Sequence, residues 1–210
     1  MNYKIALFGP QGSGKGTQGE KLAEFLKIPL VITGNIFRKN IKEGTELGKL
    51  ASSFINKGAL VPDDVTIKMI INRLSDNDCQ NGFLLDGFPR SLAQSEALDK
   101  FTSLSHVLLI DIKDEESVRR IANRRVCLNC GSTFHLLYKP SKKEGICDTC
   151  QTKLVQRDDD TEKALRNRLA IYHEQSEPLL KKYQQENILH KINGEKSIEE
   201  VWEEVKKIFS

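Results

Sequence analysis

The chain has no apolar stretch approaching the ~20 residues that a membrane-spanning helix needs, so an integral membrane protein of that kind is excluded. It also lacks a strong excess of one charge. Its 32 basic and 29 acidic residues leave a net charge of +3, with no basic run. A nucleic-acid binder usually carries a larger excess or a basic stripe, so that class is disfavoured, while a basic pocket for a small anion stays open. There is no internal repeat and no low-complexity tail. The five cysteines are not needed as staples, because a chain of 210 residues buries around 70% of its unfolded surface and can hold a core without disulfides. The N-terminus has one Lys and a short apolar run ending in Gly-Pro, which reads as a first strand and not as a signal peptide. A cytosolic location is therefore expected, with thiols reduced or metal-bound. The length suits one core with insertions better than two ordinary domains.

What is present is organised around residues 9–17, Gly-Pro-Gln-Gly-Ser-Gly-Lys-Gly-Thr. The stretch follows the apolar run Ile5-Ala6-Leu7-Phe8 and precedes a segment of helical spacing. Gly9, Gly12 and Gly14 let the backbone turn with several N–H groups aimed inward, leaving room for a polyphosphate. The following helix adds its positive N-terminal end, and Lys15 supplies a point charge for the terminal phosphates. A glycine-rich turn before an ordinary helix is the plain alternative, and three glycines with a Lys in strand–helix context argue against it. One feature departs from the general phosphate-loop pattern: Gly16 stands where Ser or Thr usually holds Mg²⁺, and the hydroxyl comes one later, at Thr17.

Along the chain, strands are expected at 3–8, 29–32, 83–86, 106–112 and 188–192. Helices are expected at 15–27, 36–42, 46–56, 62–74, 91–100, 114–124, from about 160, and at 197–209. Leu22, Phe25 and Leu26 should face inward on the first helix, where Gly19 costs up to ~1 kcal/mol against Ala. Thr33-Gly34-Asn35 reads as a turn with Asn35 as N-cap. Pro178 should kink or interrupt the long helix it lies in. Strands alternating with helices indicate an α/β fold, a parallel sheet with helices on both faces and ligands at the carboxyl ends of its strands.

Three further constellations carry chemistry. Asp86-Gly87-Phe88-Pro89-Arg90 closes a buried strand: an Asp there suits Mg²⁺, directly or through water, and Arg90 is a bidentate phosphate fork. Arginines flank a cysteine-rich segment, with Arg119, Arg120, Arg124 and Arg125 before it and Arg157, Arg166 and Arg168 after it. Singly these are solvated charges; together they suggest a polyphosphate clamp, with Asp158, Asp159 and Asp160 orienting some of them. Finally, Cys127-Leu-Asn-Cys130 and Cys147-Asp-Thr-Cys150 are two CxxC knuckles 16 residues apart, a four-thiolate structural zinc site. Cys79 reads as a packing residue and His135 as a non-ligand, like His106, His173 and His190.

Taken in order, GPQGSGKGT, TGNIFR, LLDGFPR with Gln94 four residues on, ANRRV and QRDDD through RNR resemble the adenylate kinases of the long bacterial type with a zinc-bearing lid. The resemblance covers essentially the whole chain and accounts for Gly16, since GKGT is that family's form of the loop. It implies a core of a five-stranded parallel sheet, a P-loop kinase core of residues 1–32, 62–123 and 162–210, with two mobile insertions. Residues 33–61 would close over AMP, and a lid of residues 124–161 over ATP. Carried over by motif, Gly12, Ser13, Gly14, Lys15, Gly16 and Thr17 would bind the ATP phosphates, with Arg124, Thr133, Phe134 and Lys196 also on the ATP side and Asp86 holding Mg²⁺ through water. Thr33 and Gln94 resemble the adenine-reading residues for AMP, Arg38 and Arg90 the clamp on its phosphate, and Ala59, Leu60, Val61 and Gly87 would line its base and ribose. Arg157 and Arg168 resemble arginines shared by both phosphate groups, and the catalytic charges would be Lys15, Arg90, Arg120, Arg124, Arg157 and Arg168. Asn35 stands where relatives often have Asp, and Phe134 where Tyr is common, keeping a ring for stacking. Cys127, Cys130, Cys147 and Cys150 complete an all-sulfur zinc set where some relatives have Asp.

The activity this implies is reversible transfer of the γ-phosphoryl of Mg-ATP to AMP, giving two ADP, by a monomer that needs neither nucleic acid nor membrane. A kinase for UMP or CMP, or one using GTP, is the nearest rival, and the Thr33–Gln94 pair argues against another acceptor. A zinc-ribbon nucleic-acid-binding ATPase is disfavoured by the modest charge. A GTPase is disfavoured because the only Asn-Lys pair, Asn56-Lys57, lacks the Asp that would read guanine.

Overall fold

The computed structural model describes residues 2–55, 61–156 and 160–210. The chain alternates strands and helices: β1 (Tyr3–Phe8), α1 (Lys15–Leu26), β2 (Leu30–Ile32), α2 (Thr33–Glu43), α3 (Glu46–Ile55), α4 (Asp63–Leu74), β3 (Gly82–Asp86), α5 (Leu92–Phe101), β4 (His106–Asp111) and α6 (Asp114–Ala122). There follow β5 (Arg124–Val126), β6 (Thr133–His135), α7 (Glu162–Gln185), β7 (Leu189–Asn193) and α8 (Ile198–Lys207). Five strands form one sheet in the order β2-β3-β1-β4-β7, the parallel α/β sheet that the alternation implies. Its strands read as unbroken apolar runs because helices cover both faces: Ile5, Ala6, Leu84, Leu85, Val107 and Leu108 are buried. The register sets Leu7 beside Asp86 and Ile32 beside the same Asp86. The carboxyl ends of β1, β2 and β3 therefore lie on one edge, leading into the glycine loop, Thr33 and Gly87.

The chain divides into two compact units. The first comprises Met1–Phe8, Gly19–Leu108 and Gln175–His190. Here α1 approaches the sheet closely, since a Cβ on Gly19 would sit 2.8 Å from Leu7 Cδ1 and 3.3 Å from Leu30 Cδ1. Gly19 is thus required by helix–sheet packing, which outweighs its cost in helix propensity. Phe25, expected inside, is 44% exposed, because the buried face of that helix runs through Gln18, Gly19 and Leu22. Lys27 ends α1 in the left-handed region at φ 55°. The expected turn at 33–35 is absent: α2 starts at Thr33 directly after β2, with Ile32 as N-cap. The Thr33 hydroxyl donates to the Asp86 carbonyl at 3.1 Å, and Asn35 accepts from the Arg38 guanidinium in place of capping. Nor does Pro178 interrupt α7, which runs through it for 24 residues. Removing one helix bond costs ~3 kcal/mol, and packing around the proline offsets it: Leu179 and Tyr183 are buried, and the Tyr183 hydroxyl meets Ser95 Oγ at 2.9 Å.

The second unit comprises Gly9–Gln18, Leu109–Glu174 and Lys191–Ser210. Ile121 on α6 packs against Leu165 and Leu169 on α7, which fixes the stems of the cysteine-rich segment. The segment itself has only the two-stranded β5–β6 ladder and isolated bridges. The helix expected to reach residue 124 stops at Ala122, and Arg124 begins β5. Ser197 caps α8 reciprocally with Glu200, a capping box. Among the described residues no helix is long and apolar enough to cross a membrane.

Candidate active site

In the second unit the glycine loop is held from below by α6. The Ser117 hydroxyl donates to the Gln11 carbonyl, and Arg120 Nη1 reaches the Gly12 carbonyl at 3.5 Å. Gly9, Gly12 and Gly14 all have positive φ, at 142°, 77° and 97°. A Cβ on Gly9 would collide with the Ile110 carbonyl, and one on Gly12 would crowd Arg120, Ile121 and Ser117 at 3.3 Å. Gly14 and Gly16 differ, because a Cβ on either would meet no protein atom within 4 Å. Gly14 is explained by its backbone angle. Gly16 lies in the first turn of α1 with neither a positive φ nor a protein neighbour, so neither backbone strain nor packing accounts for its lack of a side chain. The Lys15 ammonium folds back over the loop and donates to the carbonyls of Gly9 at 2.6 Å and Pro10 at 2.8 Å.

Four of the flanking arginines pair with carboxylates: Arg119 and Arg120 with Glu116, Arg124 with Asp160 and Arg166 with Glu162. Arg120 donates from Nε to Glu116 Oε1 at 2.6 Å, and its guanidinium lies 5.6 Å from the centre of the Tyr138 ring. Arg124 pairs bidentately with Asp160, whose side chain is only 1% exposed. A buried carboxylate gripping a fork in two places sets where the guanidinium plane lies. Arg168 is half-buried on α7, and Arg157 lies outside the described residues. His135 stacks on Tyr138 with ring centres 4.6 Å apart, and its Nδ1 accepts from the backbone N–H groups of Leu137 and Tyr138. Its Nε2 is buried with no partner among the described residues. Burial, and then the Arg120 charge, hold this imidazole below its ordinary value, so it stays neutral. A cavity of about 320 Å³ is lined by Lys113, Glu115, Glu116, Arg119 and Glu195. The next residue, Lys196, is paired with Glu204.

The cysteine segment gathers four sulfurs. Cys127, Cys130, Cys147 and Cys150 place their Sγ atoms within 4.8 Å of one another, with pairs at 3.3 Å and 3.5 Å. Zinc–thiolate bonds of ~2.3 Å in a tetrahedron require sulfurs ~3.8 Å apart, so this donor set fits a structural Zn²⁺ with no position left open. The Thr152 hydroxyl and N–H lower the Cys150 thiol, which favours the thiolate a metal needs there, while its neighbour Cys127 is raised. His135 is not among these ligands. Thr133 is exposed at the start of β6. The Phe134 ring, expected to be open for stacking, is only 7% exposed, packed with Cys127, Cys147, Cys150 and Leu154. It packs the metal site, and only its backbone is left for a ligand.

In the first unit a second cluster forms where β2 and β3 end. Gly87 has φ 85°, and a Cβ there would lie 2.9 Å from Arg90 Nη2 and 3.5 Å from Thr33 Oγ1. This glycine is what lets Thr33 and Arg90 converge. Arg90 Nε donates to the Gly87 carbonyl at 2.9 Å. Gln94, 5% exposed, accepts from the Arg90 backbone N–H at 2.8 Å and donates to Asp63 Oδ1 at 2.6 Å. Arg38 is exposed on the second turn of α2, its Nη1 within 3.3 Å of where a Gly34 Cβ would be, and Val61 is half-buried. Asp86 is half-buried at the end of β3, a carboxylate of the oxygen-donor type that Mg²⁺ takes. Ala59 and Leu60 lie outside the described residues.

A sequence profile of the adenylate kinase family matches residues 7–188. The chain belongs to the adenylate kinase family. It is 48% identical over 208 residues to an adenylate kinase of Methanocella arvoryzae, covering 97% of this chain and 96% of that one. Against adenylate kinases of Agathobacter rectalis and Caldicellulosiruptor bescii the identities are 45% over 204 residues, covering 95% of both chains, and 46% over 209 residues, covering 97% of both.

Several residues of this adenylate kinase that hold the site in shape are not apparent from sequence. Glu116 reads as an ordinary helix-surface acid, yet it aligns both Arg119 and Arg120. Asp63 reads as a helix-start acid, yet it anchors Gln94 and accepts from the Ser91 hydroxyl at 2.6 Å. The stacking of Tyr138 on His135, which the sequence marks only as a non-ligand, is not apparent from the cysteine-rich composition around them. The one available signal was that His135 directly follows Thr133-Phe134.

Proposed function

We propose that this adenylate kinase transfers the γ-phosphoryl group of Mg-ATP reversibly to AMP, giving two ADP. The observation that carries this reading is the phosphate loop at Gly16. With an unstrained backbone and no protein neighbour, the missing side chain is explained by a group that must come close to the backbone, and polyphosphate is the group such a loop holds. Gly12, Ser13, Gly14, Lys15, Gly16 and Thr17 hold the ATP phosphates. Lys15 exchanges its two carbonyl partners for phosphate oxygens when ATP arrives. Arg120 and Arg124, oriented by Glu116 and Asp160, neutralise charge on the donor, with Arg157 and Arg168 at the transferred group. Thr133, Phe134 through its backbone, and Lys196 belong to the donor's nucleoside end.

AMP is read by Thr33 and Gln94. The Thr33 hydroxyl proton is committed to the Asp86 carbonyl, so its oxygen is left to accept, which suits an exocyclic amine. Arg38 and Arg90 clamp the AMP phosphate, while Ala59, Leu60, Val61 and Gly87 line its base and ribose. Asp86 is the carboxylate that would hold Mg²⁺, and that ion, when bound, would neutralise charge on the phosphates. No protein nucleophile is needed, because a phosphate oxygen of AMP attacks. The protein's part is positioning and electrostatic stabilisation, in which one well-placed arginine can be worth roughly 10³–10⁵ in rate.

The insertions 33–61 and 124–161 close over AMP and ATP and keep water from the transferred group. Zinc on Cys127, Cys130, Cys147 and Cys150 stabilises the lid and takes no part in the reaction. The same reading makes the protein a cytoplasmic monomer, whose reduced thiols suit that compartment. Its partners are ATP, AMP and ADP, with neither nucleic acid nor membrane.

The test is to supply ADP and Mg²⁺ with no other nucleotide and follow the products. ATP and AMP in equal amounts are expected. A folded, zinc-loaded sample that leaves ADP unchanged would overturn the reading and turn attention to UMP or CMP as acceptor.

A further inference from the structure

We propose that Asp63 is a positioning residue that sets the polarity of the Gln94 amide, and through it the selection of a 6-amino purine monophosphate over a 6-oxo one. The proposal rests on the reading of Gln94 as the residue that meets the AMP base. A primary amide can be turned over by rotation about its last bond, exchanging its carbonyl and its NH₂, and the two ends look alike except to their hydrogen-bond partners. A glutamine free to turn would serve equally a base with a donor at position 6 and an acceptor at N1, as in adenine, and one with the reverse pattern, as in hypoxanthine.

In this protein both ends are anchored by groups of fixed and opposite sign. The Arg90 backbone N–H, which can only donate, faces Oε1 at 2.8 Å. The Asp63 carboxylate, which can only accept when ionised, faces Nε2 at 2.6 Å. Turning the amide over would set N–H against N–H on one side and oxygen against carboxylate on the other. Asp63 is itself fixed, because its other oxygen accepts from the Ser91 hydroxyl at 2.6 Å. Ser91 Oγ in turn accepts from the Gln94 backbone N–H at 3.2 Å as the N-cap of α5. The four contacts close a ring through the starts of α4 and α5, and Gln94 sits in it almost wholly buried. After Arg90 and Asp63 have taken one site each, the amide keeps one N–H and one carbonyl lone pair of set identity. That is what is needed to donate to N1 and accept from the 6-amino group of adenine. Asp63 therefore acts on which base is accepted, without touching the reacting phosphates.

The experiment compares AMP with IMP as acceptor, ATP being the donor, in wild type, Asp63→Ala, Asp63→Asn, Gln94→Ala and the double variant Asp63→Ala/Gln94→Ala. The measured quantities are kcat/KM for each acceptor, KM for ATP and the melting temperature. A bidentate contact of fixed polarity discriminates between bases by roughly 5- to 150-fold, so losing its fixation should lower the AMP-to-IMP ratio about tenfold in Asp63→Ala. KM for ATP should not change. Asp63→Asn, whose amide offers an acceptor or a donor to Gln94, should fold normally and fall between wild type and Asp63→Ala. The double variant should match Gln94→Ala, since Asp63 acts only through that side chain.

If both Asp63 variants lower the melting temperature while their AMP-to-IMP ratio stays at the wild-type value, and Gln94→Ala loses that ratio, then Asp63 merely ties α4 to α5 and the proposal is wrong. If Gln94→Ala itself keeps the wild-type ratio, the reading of Gln94 fails and the proposal falls with it. The two failures are told apart by the glutamine variant alone.

Discussion

Helix α1 offers a controlled contrast, because the same substitution at two of its glycines should have opposite effects on stability and activity. At Gly16 an added methyl meets no protein atom within 4 Å and the backbone is unstrained. Gly16→Ala should therefore gain helix propensity, up to about 1 kcal/mol. For a chain of this length that is a rise in melting temperature of about 2–4 °C at most. The methyl would stand where the phosphates approach the backbone, and a misplacement of about 1 Å can cost on the order of 10²-fold in turnover. At Gly19 the same methyl would lie 2.8 Å from Leu7 Cδ1, with Leu30 and Leu84 behind it at 3.3 Å and 3.5 Å. The propensity gain of about 1 kcal/mol is then opposed by overpacking of about 1–3 kcal/mol, for a net loss of roughly 0–2 kcal/mol. Turnover at a temperature where the variant is folded should be close to normal. Thermal melts and the ADP disproportionation assay, run on both variants, read the two effects separately. Wild-type turnover in Gly16→Ala would refute the argument that this glycine makes room for phosphate. A Gly19→Ala protein as stable as Gly16→Ala would refute the claim that close helix–sheet contact is what requires Gly19.

Other consequences can be checked with the same preparations. Lys15→Ala should lose most of its turnover while keeping its melting temperature within a few degrees, since the ammonium's bonds to the Gly9 and Pro10 carbonyls and to Ser13 Oγ all lie within the loop; near-normal turnover in the folded variant would remove Lys15 from the donor site. Stripping zinc with a chelator should lower the melting temperature and expose the 124–161 segment to protease, because Phe134 and Leu154 pack with Cys127, Cys147 and Cys150, and an unchanged melt in metal-free protein would contradict this. His106 and His190 stack at 5.4 Å, and burial lowers both, with mutual charge adding to the shift at His106. Each binds fewer protons folded than unfolded, so their contribution is complete above the unfolded value of about 6.5 and is lost as pH falls through and below it. Replacing both by Asn should flatten the stability profile below about pH 6.5, and a profile of unchanged slope would show that other groups set it.

The parts of the fold legible in the sequence are those fixed by short-range rules. Phe83-Leu84-Leu85 reads as a buried strand because a parallel sheet covered on both faces leaves its residues no polar side. Pro62 followed by two acids reads as a helix start because the helix N-terminus favours that order. Three of the misreadings share one cause, a partner far along the chain. Thr33 reads as part of a turn because its neighbours Gly34 and Asn35 suit one, whereas the group that ties it down, the Asp86 carbonyl, is 53 positions away. Gly19 reads as a defect in a helix, but Leu7 and Leu84 lie against it; Pro178 reads as a break, but α5 holds the second half of α7 through Ser95.

The candidate site divides along the same line, and this explains why its chemistry was easier to read than its selectivity. Holding phosphate takes backbone N–H groups, a lysine and arginines, and these residue types keep the same sign in any orientation. Their presence in order along the chain is already most of the information. Choosing a base takes side chains that can donate or accept, such as the Thr33 hydroxyl and the Gln94 amide, and their sign is set by what sits behind them. For Thr33 that is a strand carbonyl, and for Gln94 it is Asp63 on one side and the Arg90 backbone on the other. A sequence names the hydroxyl and the amide without saying which way either faces. Only a structure supplies the supporting partner, so residues such as Asp63 and Glu116, which touch no substrate, carry information about specificity that motif reading passes over.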